Sequence, residues 1–187
     1  MVSIFALWLP ILIAAVLVWV VSALFWTVSP HRKQDWKGVA DEDALRDALR
    51  GQNLAPGQYM VPFATGGAAR EPAHQQKMKE GPVALITVAR PGFGTSMATP
   101  MILTLVYYIV VGIVVAYITG RTMSPGDEYL AVFRVAGTAA WLAYGFGGIA
   151  DSIWFARPWS STAKTVVEAL IYGLLTAGAF AGFWPEA

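Results

Sequence analysis

An all-α integral membrane fold, with four transmembrane helices and a small α+β soluble loop between helices 1 and 2, is predicted by three observations on this sequence. Uncharged apolar runs of bilayer length recur along it. The composition is 56% hydrophobic and only 13% charged, with a mean hydropathy of +0.52. The charges also concentrate in one stretch, His31 to Ala98, which holds nine basic and seven acidic residues. A globular domain carries about 25% charged residues, so the apolar surplus calls for a solvent other than water. Eight Trp, nine Phe and seven Tyr fit the same reading, because amphipathic rings gather where hydrocarbon meets headgroup.

The first span is expected within residues 1–30. No charged side chain precedes Pro30, and the run Ile4 to Val28 would form a helix of roughly 37 Å at ~1.5 Å per residue, enough to cross a ~30 Å hydrocarbon core. No Lys or Arg precedes the apolar run, so it reads as an uncleaved anchor rather than a signal peptide. The second span is expected over 98–120, opened by Thr99-Pro100 and closed by Gly120-Arg121, since Pro suits the first turn of a helix. The third, over 128–156, and the fourth, over 161–184, are separated from their neighbours by Pro125-Gly126 and Pro158.

Residues 31–97 form the soluble loop. Asp41 to Gly51 reads as a short helix, with acidic residues in the first turn, Arg50 in the last and glycine at the stop. Leu45, Ala48 and Leu49 share one of its faces. Gln58 to Phe63 and Val83 to Val88 read as strands bounded by Pro and Gly. The stretch from Gly66-Gly67 to Gln76 reads as a flexible excursion, with His74 a solvated residue on it. Two strands and one helix are too small a core to stand alone, so the loop is expected to lie on membrane helices, the bilayer surface or a partner.

Orientation follows the positive-inside bias. Arg32, Lys33, Lys37, Arg46, Arg50, Arg70, Lys77, Lys79, Arg90, Arg157 and Lys164 fall on one side, and only Arg121 and Arg134 on the other. The large loop is therefore expected in the cytoplasm and both termini outside, in a bacterial inner membrane.

Small residues form the clearest pattern within the spans. Ala169, Gly173, Ala177 and Ala181 recur every four residues in the fourth span, with Gly178 and Gly182 as a second stripe. Ala139, Ala143 and Gly147 do the same in the third, beside Ala136, Ala140 and Gly148. Small residues at this spacing let backbones approach, which drives helix association in lipid. They are expected to pack spans three and four together or to dock a partner.

Ionisable groups in spans are costly and each needs a role. Arg134 is expected to snorkel or to pair with Asp127 and Glu128. Asp151, Arg157, Lys164 and Glu168 are expected to converge at one interfacial depth as a charge cluster, with Lys164 and Glu168 four residues apart on one helix face.

No complete catalytic set is present. The absence of cysteine removes disulfides, thiolate metal sites and cysteine nucleophiles. The two histidines, His31 and His74, lie outside the spans, so no haem pair is expected. Gly145-Phe146-Gly147-Gly148 lacks the following Lys-Ser or Lys-Thr of a phosphate loop. Ser160 and Ser161 have no His nearby in sequence. His31 is the one residue available to a lipid- or quinone-directed enzyme.

A formal charge of +1 gives little to hold nucleic acid. No cofactor or metal is expected. The expected function is that of a non-catalytic auxiliary or scaffold subunit of a larger membrane complex. Its partners would be the lipid bilayer and a membrane protein or further copies of itself. The alternative is a small ion or solute transporter using Asp151 and Glu168.

Overall fold

The computed structural model describes residues 1–187, in two compact units: Met1–Trp36 with Met97–Ala187, and Lys37–Ser96. In chain order, a 3-10 turn Ile4–Leu7 leads into α1 (Trp8–Thr27), followed by α2 (Glu42–Gly51), β1 (Gly57–Val61), α3 (Pro72–Glu80) and β2 (Ala84–Val88). Then come α4 (Ala98–Thr122), α5 (Tyr129–Gly145), α6 (Ile149–Trp154) and α7 (Trp159–Gly182).

The first unit contains four helical stretches long and apolar enough to cross a membrane: Ile4–Thr27, Ala98–Thr122, Tyr129–Trp154 and Trp159–Gly182. They close into a ring of neighbours, α1 on α4, α4 on α5, α5 on α7 and α7 on α1. Leu7 at the end of the 3-10 turn and Ile11, Ala14, Val18 and Ser22 on α1 are buried, recur with helical period and face inward. The opposite face, including Trp8, Leu12, Val16, Val20 and Leu24, is exposed apolar surface. Helix α7 is the most enclosed, with half of its apolar window buried against 22–33% for the others.

The bundle is tight where glycine meets backbone. A Cβ added to Gly173 would stand 3.0 Å from the Gly137 carbonyl oxygen and 3.2 Å from the Trp141 nitrogen. One added to Gly145 would stand 2.8 Å from the Ala169 Cβ, and one at Gly137 3.0 Å from the Ala177 Cβ. On the other side of the ring, Val2 donates its N–H to the Gly120 carbonyl at 2.8 Å, and a Cβ at Gly120 would lie 2.6 Å from the Val2 oxygen.

Ala169, Gly173, Ala177 and Ala181 are thus buried, the first three against α5. The face that α5 turns to them carries Gly137, Trp141 and Gly145, which the alanine spacing in span three does not reveal. Of the stripe expected in span three, Ala139 is half-buried and Ala143 and Gly147 are exposed. Gly178 is half-buried near the Tyr129 hydroxyl, and Gly182 has nothing within 4 Å of an added Cβ.

Span three is not one continuous helix, as its apolar run predicts. It breaks at Phe146-Gly147-Gly148 between α5 and α6, where two glycines in succession lower the helical preference. Ser152 on α6 and Thr162 on α7 rejoin the hairpin through a buried hydroxyl pair at 2.6 Å. Inside the ring, Tyr108, Tyr144 and Tyr172 from three helices pack edge-on or tilted, with centroids 5.6–6.3 Å apart.

In the Lys37–Ser96 unit, Asp41 caps α2 by accepting the Ala44 N–H at 2.9 Å. Glu42 and Asp43 stand in the first turn and Arg50 in the last, matching the helix dipole. Strands β1 and β2 pair antiparallel, Tyr59 opposite Ile86. The stretch expected to be a flexible excursion is instead a 3-10 turn, Gly66–Arg70, followed by α3. Pro72 opens α3 with its preset φ, and Gly81, at φ +63°, closes it. The turn signals were present, but a segment as polar as Pro72–Glu80 offers no apolar period by which to read a helix.

Candidate functional site

Where α1 stops, Ser29-Pro30 turns the chain into a 3-10 turn that carries His31 and Arg32. Opposite stands the first half of α7, whose Ser161, Lys164, Thr165 and Glu168 recur at helical spacing and form one polar stripe. The two segments lock through a charged network.

The Arg32 guanidinium is gripped at both edges. Its Nε donates to Glu168 Oε1 at 2.8 Å and its Nη2 to Glu168 Oε2 at 2.6 Å. Nη1 donates to Asp35 Oδ2 at 3.0 Å, and Nη2 also reaches Thr165 Oγ1 at 3.1 Å. The Trp26 ring lies 4.7 Å from the guanidinium carbon, a cation–π distance. The Arg32 and Glu168 side chains are only 5% and 7% exposed. Each charge is desolvated, and each has its counter-charge in a two-pronged geometry that Lys could not reproduce.

Asp35 forms the second node. It accepts Lys164 Nζ at 2.6 Å and the Ser161 hydroxyl at 3.3 Å, in addition to Arg32. Lys164 also donates to the His31 carbonyl at 2.6 Å. The His31 ring bridges outward, with Nε2 2.5 Å from Glu168 Oε1 and Nδ1 2.6 Å from the Ser29 hydroxyl, and packs edge-on against Phe25.

The electrostatics follow from these contacts. Burial alone would lower the Arg32 pKa, but the bonds to Glu168 and Asp35 outweigh it and hold the guanidinium above its ordinary value. The Lys164 ammonium, aided by Arg32, holds the Asp35 carboxyl down at about 2 against an ordinary 3.8, although partial burial opposes it. A depressed carboxyl pKa stabilises the fold above the unfolded-state value, and that contribution is lost as the pH falls from near 4 through about 2. Asp35→Asn is therefore expected to flatten the acid limb of a stability-versus-pH curve across this window. Identical acid limbs in the two proteins would exclude Asp35 as its source.

Of the four residues expected to converge, Lys164 and Glu168 belong to this network but are not each other's partners. Lys164 pairs with Asp35 and Glu168 with Arg32. Asp151 and Arg157 form a looser contact at 3.8 Å, with side chains 52% and 35% exposed. Thr165 alone touches both groups, since Arg157 Nη2 reaches its hydroxyl at 3.5 Å.

Sequence reasoning missed Arg32, Asp35 and the Glu168-facing role of His31. A faint signal existed in the Arg32/Asp35 spacing beside a span end, but nothing in the sequence says that the end of α1 meets the start of α7. Arg134, expected to snorkel or to pair with Asp127 or Glu128, makes no ion pair with either. Asp127 caps the turn by accepting the Ser124 N–H at 2.7 Å.

Fold and site together define a ring of four bilayer-length helices, tied at one end by a buried network of mutually paired charges. No protein-family model, curated protein or solved structure matches the chain.

Proposed function

We propose that this chain is a non-catalytic auxiliary or scaffold subunit, spanning a bacterial inner membrane four times and offering its Lys37–Ser96 unit to a partner protein. The observation that carries the reading is that no residue of Lys37–Ser96 is buried, although the unit has two helices and a paired sheet. It leaves Leu45, Val61, Phe63, Val83, Leu85 and Phe93 between 45% and 73% exposed. Ordered secondary structure that buries no core of its own gains its apolar burial from something else.

The charged network supports the same reading. Glu168 is gripped by Arg32 and His31, and Asp151 lies exposed beside Arg157. That arrangement favours a structural tie over a transport site built on the two carboxylates. Eleven basic residues against two support a cytoplasmic Lys37–Ser96 unit and outward termini.

Extraction of the native membrane in mild detergent, followed by native mass spectrometry, is expected to yield this chain with a partner in fixed stoichiometry. A solitary monomer would count decisively against the subunit reading. Because the chain has no cysteine, orientation can be read from Ser3→Cys, Gly67→Cys and Glu186→Cys with an impermeant maleimide on intact cells. Ser3→Cys and Glu186→Cys are expected to label, and Gly67→Cys only after lysis. The reverse pattern would invert the proposed topology.

A further inference from the structure

Resting on the membrane reading above, we infer that a groove between α5 and α7 binds an anionic phospholipid, its headgroup on Arg134 and one acyl chain along the groove.

The groove has a volume of about 210 Å³ and is lined by Arg134, Gly137 and Trp141 from α5 and by Leu170, Gly173 and Leu174 from α7, among others. Gly137 and Gly173 line it where the two backbones close to contact distance. Its volume falls below the roughly 300–1,000 Å³ of sites for compact small molecules, so a slender chain suits it better than a ring system. One wall is rigid, since the Trp141 indole N–H is anchored to the Val166 carbonyl at 3.1 Å and its ring packs edge-on against Phe146.

Charge selects the occupant. Arg134 is the sole Asp, Glu, Lys, Arg or His from Tyr129 to Ala150 and the sole charged residue lining the groove. It is exposed and makes no ion pair, and an unpaired cation within an apolar span is costly. It stands five residues into α5, or roughly 7 Å from the helix start at ~1.5 Å per residue. That depth is within snorkelling reach of the headgroup region.

From Arg134 the lining residues descend α5 at helical spacing to Trp141, while Leu174 to Leu170 accompany them on antiparallel α7. A phosphodiester placed on the guanidinium would receive the paired donors that suit it, and the acyl chain below would follow the groove toward mid-membrane. A zwitterionic lipid would bring its own cation to the same place.

The test is native mass spectrometry of the full chain from micelles holding equal amounts of phosphatidylglycerol and phosphatidylcholine with identical acyl chains. The wild type is expected to retain the anionic lipid about tenfold over the zwitterionic one, Arg134→Lys to keep most of that preference, and Arg134→Gln to lose it. Thr138→Trp, which fills the groove from an exposed position, is expected to reduce retention of both lipids. Circular dichroism spectra matching the wild type would exclude misfolding of all three variants.

An unchanged preference in Arg134→Gln would overturn the assignment. So would lipid stripped by excess inorganic phosphate, or a dimer in place of lipid adducts that Arg134→Gln abolishes. Carbonate washing of the membranes separates the two levels of failure. A chain that washes off refutes membrane insertion itself, whereas one that resists washing but shows no lipid preference refutes only the groove.

Discussion

Replacing Glu168 with alanine is expected to destabilise the helical bundle by about 3–5 kcal/mol, the range for removing one partner of a buried ion pair. Arg32 would remain almost fully buried while losing the two bonds that grip its guanidinium edge. Asp35 would keep its bond to Nη1, but it shares its carboxylate with Lys164 and Ser161 and leaves the Nε–Nη2 edge without a counter-charge. The expected readout is a large fall in the thermal unfolding midpoint in detergent, followed by circular dichroism.

The paired replacement Arg32→Met with Glu168→Leu is expected to recover most of that loss. It removes both desolvated charges and leaves apolar volume in their place. If Glu168→Ala shifts stability by less than ~0.5 kcal/mol, a surface-like value, the network is not the tie we describe. If the double variant is no better than the single, the loss comes from packing rather than from a stranded charge.

Gly173→Leu is expected to cost about 3 kcal/mol, at the upper end of the range for overpacking a well-filled interior. The obstruction is backbone rather than a movable side-chain tip: the Gly137 carbonyl oxygen and the Trp141 nitrogen lie 3.0 and 3.2 Å from the added Cβ. Helices α5 and α7 would have to separate, and in lipid their close packing is a principal source of association.

Gly182→Leu is the internal control, because nothing lies within 4 Å of a Cβ at that position. It is expected to change stability by no more than ~0.5 kcal/mol. Equal effects at the two glycines, measured by the same unfolding assay, would show that the small-residue pattern rather than the observed contact is what matters.

These contrasts mark the limit of the sequence-level reading. Ala169, Gly173 and Ala177 could be recognised as a packing stripe because a period of four residues on an apolar helix has one physical use in lipid. Their counterparts Gly137 and Gly145 could not, since two glycines eight residues apart are hidden among Ala136, Ala139, Ala140 and Ala143, and only the crossing of the helices selects one face. Lys164 and Glu168 stood out as charges needing partners, but the nearest candidates in sequence, Asp151 and Arg157, are not the partners they take.

By itself, the sequence determined the apolar lengths of four bilayer-long helices, a short helix and two strand-like runs of the polar segment, and the stretch where charge concentrates. Each rests on local periodicity, charge placement or composition, which act over a few residues. Only the tertiary structure decided which helices are neighbours, and that Arg32 and Asp35 at the end of α1 meet Glu168 and Lys164 on α7. Those outcomes depend on how ring closure brings together groups more than a hundred residues apart in sequence. A buried charge takes whichever counter-charge the packing delivers, not the one nearest along the chain.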